Sequence, residues 1–598
     1  MKNDLPRDVQ HEIQPVRTLI DVRDLSIRFP YANDGRALVR GVNLTIRAGE
    51  CVALVGESGS GKSLTARSLI GLSGRDAVID AARFEIDGQS ALHHGEREWR
   101  ALRGAFAGLV MQDALVSLDP LRTVGAEIGE GLRLSRRVRS RRERAASVRG
   151  VMTDVGIPDP ERRAAQYAHE LSGGLRQRAL IASAIAARPA LVIADEPTTA
   201  LDVTVQAQVL AVLAARLREG VGVLLISHDL AVVAGIADRV LVMHRGEVVD
   251  SGPTEAVLNR PSHPYTRQLL AAQPSADSRG FRLSSARIVT TNDDRSALST
   301  PLIVREPLPS RAPLRDEIVL RVEHVGKRYP HRGAGRRDSF TALDDVSFDV
   351  RKGEVVGIVG ESGSGKSTCA KIVLGLLAPD AGSVEFLGGR WNGGNHTERE
   401  RRALRPRLQT IPQDPLGSFD PRHTVRQLLE EGLFSRALSK REVRDRSVEL
   451  LEQVGLDAAF LERRPASLSG GQRQRIAIAR ALAPEPALIV CDEPVSALDV
   501  YVQAQVLDLL ASLQARLDTS LLFISHDLDV VRHVSDRVLV FKDGRVVEAG
   551  DTAQVFDAPA HAYTRQLMSA TPSLRDGGHA ARWNRQPPVV AGGELATN

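Results

Sequence analysis

Three cysteines in 598 residues rule out a disulfide framework, and none of Cys51, Cys369 and Cys491 belongs to a CxxC pair. All three fall in or beside apolar strand or helix segments, where they read as small core residues. No apolar stretch approaches the roughly 18 residues that a membrane-spanning helix requires. The opening residues, MKNDLPRDVQHEIQ, lack the apolar core of a signal peptide, so the chain is expected to stay in the cytoplasm. No aromatic residue interleaves the densest basic cluster (Arg133, Arg136, Arg137, Arg139, Arg141, Arg142 and Arg144), which argues against a single-strand nucleic-acid platform. That cluster reads either as a surface for anionic lipid or nucleic acid, or as a solvated helix face. The net charge of +5 suits an anionic ligand, a membrane surface or nucleic acid without choosing among them.

What the chain has twice is VGESGSGKS, at Val55–Ser63 and at Val359–Ser367. Each copy fits G-x-x-x-x-G-K-[ST]; a strand-like apolar run leads in (Cys51–Val55, Val355–Val359) and a helix-like segment follows (Leu64–Leu72, Thr368–Leu377). A loop of this kind turns successive amide N–H groups towards phosphate, and the helix N-terminus adds its positive dipole end. The first loop comprises Gly56, Glu57, Ser58, Gly59, Ser60, Gly61, Lys62 and Ser63. The second comprises Gly360, Glu361, Ser362, Gly363, Ser364, Gly365, Lys366 and Ser367. Lys62 and Lys366 are expected to reach the phosphates, and Ser63 and Ser367 to ligate Mg²⁺.

Further landmarks repeat in the same order about 300 residues apart, so the chain reads as two homologous domains in tandem. They are Gln112 and Gln413, Ser172–Gly173–Gly174 and Ser469–Gly470–Gly471–Gln472, Asp195–Glu196 and Asp492–Glu493, Asp202 and Asp499, and His228 and His526. The expected domains are 18–273 and 317–574, flanked by tails at 1–17 and 575–598, the latter reading as disordered. Residues 274–316, rich in Ser, Pro, Arg and Asp with no sustained period, read as a linker that extends over roughly 100 Å when stretched.

Chemical roles follow from residue type and position. Asp195 and Asp492, at strand ends, suit Mg²⁺ contacts, and the adjacent Glu196 and Glu493 suit a base or water-polarising role. The amides of Gln112 and Gln413 suit Mg²⁺ ligation and sensing of a γ-phosphate. The serine and glycine amides of Ser172–Gly174 and Ser469–Gly471, each opening a helix, form a second kind of anion site. Phe29 and Tyr329 are candidates to stack on an adenine ring, Phe29 being readable also as a strand-end core aromatic.

Leu171–Arg178, reading LSGGLRQR, resembles the signature of ATP-binding cassette (ABC) proteins, and Leu468–Gln472 repeats it. His263–Leu270 (HPYTRQLL) resembles the C-terminal element of the dipeptide, oligopeptide and nickel importer group, and His561–Met568 repeats it with Ala562 in place of proline. Met111–Gln112–Asp113 and Ser117–Pro120 are similar to that group's glutamine loop, although Ala114 stands where proline is usual; Gln413–Asp414–Pro415 keeps the proline. The resemblance covers all but the linker and tails. It implies an α/β fold of two tandem nucleotide-binding domains, each with a RecA-like core, an antiparallel β-subdomain and a helical subdomain carrying the signature. It also implies two ATP sites, each between one half's phosphate loop and the other half's signature, with Asp202 and Asp499 near the facing half and His228 and His526 contacting the γ-phosphate. Both glutamates and both histidines are present, so both sites are expected to hydrolyse ATP, with the Leu175/Gln472 and Glu170/Ser467 differences tuning them. Some members carry an iron–sulfur centre after the first HPYT element; no cysteine lies between Cys51 and Cys369, so none is expected here. The implied partners are two permease subunits and, indirectly, an extracytoplasmic solute-binding protein, with no nucleic acid, at the cytoplasmic face of the membrane. Di- or oligopeptides lead as cargo, ahead of glutathione, opine-like conjugates and nickel chelates. The alternative is a soluble tandem ABC ATPase acting on ribosomes, whose long helical linker is poorly served by Pro301, Pro307, Pro309 and Pro313.

Overall fold

The computed structural model describes residues 16–31, 35–112, 114–134, 140–199, 201–289, 302–330, 339–394, 397–436, 438–496 and 498–571. The C-terminal tail, residues 1–15, the middle of the linker, and Arg136, Arg137 and Arg139 lie outside these. Each half is built on a six-stranded sheet. In the first half the order is Glu247–Pro253, Arg239–His244, Cys51–Val55, Gly222–Ile226, Leu191–Asp195 and Ala107–Val110, with only the first pair antiparallel. In the second the matching strands follow the same order: Arg545–Asp551, Arg537–Lys542, Val355–Gly360, Ser520–Ile524, Leu488–Asp492 and Leu408–Ile411.

The central strands are covered on both faces, which is why their sequences run apolar without alternation. Cys51–Val55 and Gly222–Ile226 are buried at every residue. Val52 and Leu54 face a core shared with the long antiparallel strands Thr18–Arg28 and Ala37–Arg47, whereas Cys51, Ala53 and Val55 face a core shared with helices. The cysteines are buried in these cores, as their apolar neighbours suggest. This is the expected α/β architecture, present twice.

Three helices in each half carry the signature: Val124–Leu134, Arg141–Asp154 and Gly173–Ile185, then Val425–Leu433, Lys440–Gln453 and Gly470–Leu482. Capping boxes start several of them, Ser140 with Glu143 and Ser439 with Glu442 among them. Arg133, Arg141 and Arg142 are exposed, while the stem of Arg144 lies 3.5 Å from the position a side chain on Gly129 would take.

The connecting segment is more ordered than its composition suggests, for its described residues dock on the second half. Asp508, buried, accepts hydrogen bonds from the backbone N–H groups of Leu283 (2.9 Å) and Ser284 (2.8 Å) and from the Ser284 hydroxyl (2.6 Å). Ser278 Oγ lies 2.9 Å from His533 Nδ1, and Arg311 donates to Asp536 (2.7 Å) and to the Gly353 carbonyl (2.9 Å). Arg287–Val289 pairs antiparallel with Leu302–Val304, and Leu283 and Ala272 join the apolar core of the second half. Acidic side chains of that half satisfy the segment's donors, so it holds its course without helical or strand periodicity. Replacing Asp508 by alanine leaves two backbone donors without their charged acceptor. The expected loss is about 2–3 kcal/mol of stability in the second half, read by denaturant unfolding, with faster proteolysis at residues 275–316.

Candidate functional site

The phosphate loops occupy the turn after the central strand of each sheet. Gly56 has φ 141° and Gly360 φ 148°; an added Cβ would lie 2.1 Å from the Met243 carbonyl and 2.3 Å from that of Phe541. Only glycine fits this combination of backbone conformation and close approach. Lys62, buried, folds over its own loop and donates to the carbonyls of Gly56 and Glu57 at 2.7 Å each; Lys366 does the same to Gly360 (2.7 Å) and Glu361 (2.8 Å). Burial pulls both ammonium groups below the usual lysine range, while nearby carboxylates, including Asp499 beside Lys62 and Asp202 beside Lys366, oppose the shift.

Asp195 ends its strand buried and accepts from Ser63 Oγ at 2.9 Å, with Arg67 at 3.4 Å. Burial raises its carboxyl, and Ser63 and Arg67 hold that rise back. Asp492 is also pushed up by burial and then by Glu493, with Lys366 and Lys371 opposing. The next residue in each half is unusual: Glu196 and Glu493 both have φ 49°, a left-handed conformation that costs a side-chain-bearing residue roughly 1–2 kcal/mol. Their N–H groups continue the sheet to Ile226 and Ile524, both at 2.9 Å. The turn aims each carboxylate away from the sheet, between the glutamine and the histidine.

There the geometry is nearly duplicated. Gln112 Nε2 donates to Glu196 at 2.7 Å and Gln413 Nε2 to Glu493 at 2.8 Å. His228 Nδ1 lies 3.5 Å from Glu196, and His526 Nδ1 3.3 Å from Glu493. Burial opposes charge on all four groups, but the hydrogen bond and charge within each pair prevail, holding the glutamates below and the histidines above their ordinary values. The structure thus brings together Ser63, Gln112, Asp195, Glu196 and His228 around the first loop. Around the second it gathers Gln413, Asp492, Glu493 and His526.

Contact between the halves runs through the aspartates that follow these strands. Asp202 Oδ1 accepts from Val205 N at 2.9 Å, capping its own helix, while Oδ2 accepts from Ser362 N at 3.0 Å in the opposite phosphate loop. Thr204 Oγ1 donates to Glu361 across the same boundary at 2.6 Å. Asp499 caps its helix through Val502 N (3.1 Å) and acts electrostatically on Glu57 and Lys62. The signature serines cap their helices, Ser172 at Leu175 N and Ser469 at Gln472 N. A Cβ on Gly471 would lie 2.4 Å from Val502 and force a shift there, whereas one on Gly174 would lie 3.0 Å from Val205, a tight contact that the valine could relieve by a small movement. Gln472 reaches back to Ser469 N at 3.0 Å and closes a capping box; Leu175 cannot, and packs instead on the apolar core. Phe29 is half-buried against the antiparallel-sheet core; Tyr329 is more open, beside Phe340 on the neighbouring strand.

Arg67, Thr204 and Asp529 carry no motif of their own, and Tyr265 and Tyr563 lie within the repeated HPYT-type elements without the motif naming what they touch. The repeated HPYT spacing was the one signal that could have pointed to the tyrosines.

A sheet-end phosphate loop facing a strand-end carboxylate and histidine, built twice and joined through its own loops, defines a tandem phosphate-loop ATPase. The ABC transporter family profile matches residues 39–199 and 343–496, and the chain belongs to that family. A second profile, the C-terminal region of oligopeptide and dipeptide transporters, matches 249–292 and 547–593. The chain is 42% identical to the peptidoglycan transport ATP-binding protein YejF of Agrobacterium fabrum over 92% of this chain and 96% of the relative. It is 40% identical to the glutathione import ATP-binding protein GsiA of Salmonella choleraesuis (95% and 91%) and 41% to the oligopeptide transport ATP-binding protein OppD of Mycobacterium tuberculosis (93% and 98%). Among solved structures, a dimeric ATP-binding cassette in a post-hydrolysis state with ADP and Pi is 32% identical, covering 39% of this chain and 98% of that one, with a TM-score of 0.36. Among the described residues no helix is long and apolar enough to cross a membrane.

A cleft of about 630 Å³ between the halves brings His228 and Asp229 together with His526, Asp527, Asp529 and Arg532. Burial, then Asp527 and Asp229, push the Asp529 carboxyl up to about 7, against Arg532. An acid raised on assembly leaves stability intact below about pH 4 and removes it as pH rises to about 7, because the joined halves bind the extra proton in that window. Ala231 occupies the matching place in the first half. Thermal melting between pH 4.5 and 8 should therefore show a steeper decline with rising pH in the wild type than in Asp529→Ala.

Proposed function

We propose that this ATPase powers an importer of peptides or peptide-like solutes through two partner permease subunits at the cytoplasmic face of the membrane. The observation that carries the reading is the oligopeptide and dipeptide transporter C-terminal element, present after both cassettes. The transport named for the relatives supports it, and solute choice then belongs to the permeases and an extracytoplasmic binding protein.

In this reading each ATP lies between one phosphate loop and the opposite signature: Gly56–Ser63 with Ser469–Gly471, and Gly360–Ser367 with Ser172–Gly174. Phe29 and Tyr329 stack on the adenine. Mg²⁺ fits the donor set: Ser63 and Asp195 converge at 2.9 Å as hard oxygen ligands, Gln112 would add its amide oxygen, and Ser367, Asp492 and Gln413 are the counterparts by sequence position. When bound, it offsets the charge of the β- and γ-phosphates. Lys62 and Lys366 leave their loop carbonyls for the phosphates. Glu196 and Glu493, held ionised between glutamine and histidine, orient and accept a proton from the attacking water, and His228 and His526 contact the γ-phosphate. Loss of that phosphate releases one half from the other, and the opening is transmitted to the permeases through the glutamine loops.

Glu196→Gln combined with Glu493→Gln should lower ATP turnover roughly 100-fold or more and accumulate a closed, ATP-bound chain, measured by ATPase assay and inter-half distance labels. Either single change should remove a large part of the activity; full activity in one of them would mean that only one site works. Tagged purification from detergent-solubilised membranes, with mass spectrometry, tests the importer reading. Two multi-span permease subunits support it, and ribosomal proteins without a permease would overturn it.

A further inference from the structure

The HPYT segments are absorbed by neither the catalytic groups nor the signature, yet both reach the phosphate loops. Each begins with a histidine that caps the helix behind it: His263 Nδ1 accepts from Tyr265 N at 3.2 Å and His561 Nδ1 from Tyr563 N at 3.1 Å. The approach to each helix is pinned by a carboxylate, Asp250 accepting from the N–H groups of Ser262 (3.1 Å) and His263 (3.2 Å), and Glu548 from those of Ala560 (2.7 Å) and His561 (3.1 Å). The helices Pro264–Ala271 and Ala562–Ala570 thus present one tyrosine each, buried to 6% and 4% exposure. The Tyr265 hydroxyl accepts from Glu57 N at 2.9 Å, and the Tyr563 hydroxyl from Glu361 N at 3.1 Å. These N–H groups belong to the second residue of each phosphate loop. The rings are held from behind by different partners: His244 lies 4.0 Å from Tyr265, ring centre to ring centre, and Lys542 Nζ stands 4.8 Å over Tyr563.

The same helices also touch the other half. Pro264–Ala271 packs against Val500–Leu517, and Ala562–Ala570 against Val203–Arg218, the helices that begin just after Asp499 and Asp202. Glu361, whose N–H is held by Tyr563, receives the Thr204 hydroxyl from across the boundary.

We propose that Tyr265 and Tyr563 are positioning residues that fix the first turn of each phosphate loop and tie its shape to the approach of the opposite half. A loop that binds phosphate through successive backbone amides depends on their orientation, and the phenol oxygen sets one amide at the loop's entrance. The packed helix carries that constraint to the aspartate loop of the other half. The inference rests on ATP binding at these loops.

The test uses the full chain with Mg·ATP. Tyr265→Phe, Tyr563→Phe and the double variant keep the ring packing and delete only the acceptor. Loss of one hydrogen bond predicts a KM for ATP roughly 3- to 10-fold higher for the altered site, with kcat at saturating ATP changed less. The melting temperature without nucleotide should stay near that of the wild type, while the ATP-induced rise shrinks. Combining Tyr563→Phe with Thr204→Val should give less than the product of the separate effects on KM, because both act through Glu361. Wild-type KM and an unaltered ATP-induced rise in the double phenylalanine variant would overturn the proposal, as would a fall in melting temperature with KM unchanged. Purely multiplicative effects with Thr204→Val would overturn the link to the opposite half. A wild-type chain that failed to bind ATP would overturn both this inference and the site on which it rests.

Discussion

The arrangement depends most on one carboxylate used twice. One oxygen of Asp202 caps the helix that begins beside it, and the other holds an amide of the phosphate loop in the opposite half. A helix start must find an acceptor for its free N–H groups whether or not a partner is present. Because the cap fixes the aspartate's backbone and rotamer, the second oxygen is already aimed when the halves meet. The interface thereby gains a charged hydrogen bond with little further ordering of the side chain. The site glutamates show the same economy of position: a left-handed turn after Asp195 and Asp492 places each between an amide donor and a histidine.

Most of this was legible in the sequence because the chemistry constrains residue type and spacing together. The loops, the strand-end acidic pairs, the signatures and the histidines recur in fixed order, and the fold follows from the apolar strands that lead into them. The tyrosine contacts were less legible. Tyr265 and Glu57 are brought together by the helix Pro264–Ala271 folding back onto the turn after Cys51–Val55, and nothing local in either segment shows that they touch. Arg67 and Thr204 were missed for a related reason: each lies on an ordinary helix face and acquires its role only from what the opposing surface presents. Asp529 looks like one more charged helix residue until two further acids converge on it. Residues 275–289 were legible only as irregular, since anchoring by side chains of another domain leaves no periodic trace.

The two halves are alike in the glutamine, glutamate and histidine gathered beside each phosphate loop and unlike around them. Gln472 closes a capping box that Leu175 leaves open, and Lys542 stands over a tyrosine where the first half has His244. Asp195 is braced by Arg67 and Ser63, while Asp492 is pushed up by burial and Glu493 and held back by Lys366 and Lys371. Differences of this kind leave that shared geometry in place and change what packs around it.

The docked connecting segment has a consequence for which cassettes pair. Its anchors Asp508 and His533 have Ala211 and Gly235 at the matching places in the first half, so the segment finds its acceptors on one partner only. Two first halves brought face to face would leave Leu283 and the neighbouring amides without that surface. The covalent join therefore does more than keep two cassettes near each other: the segment that makes it is seated on anchors that the second half has and the first half lacks.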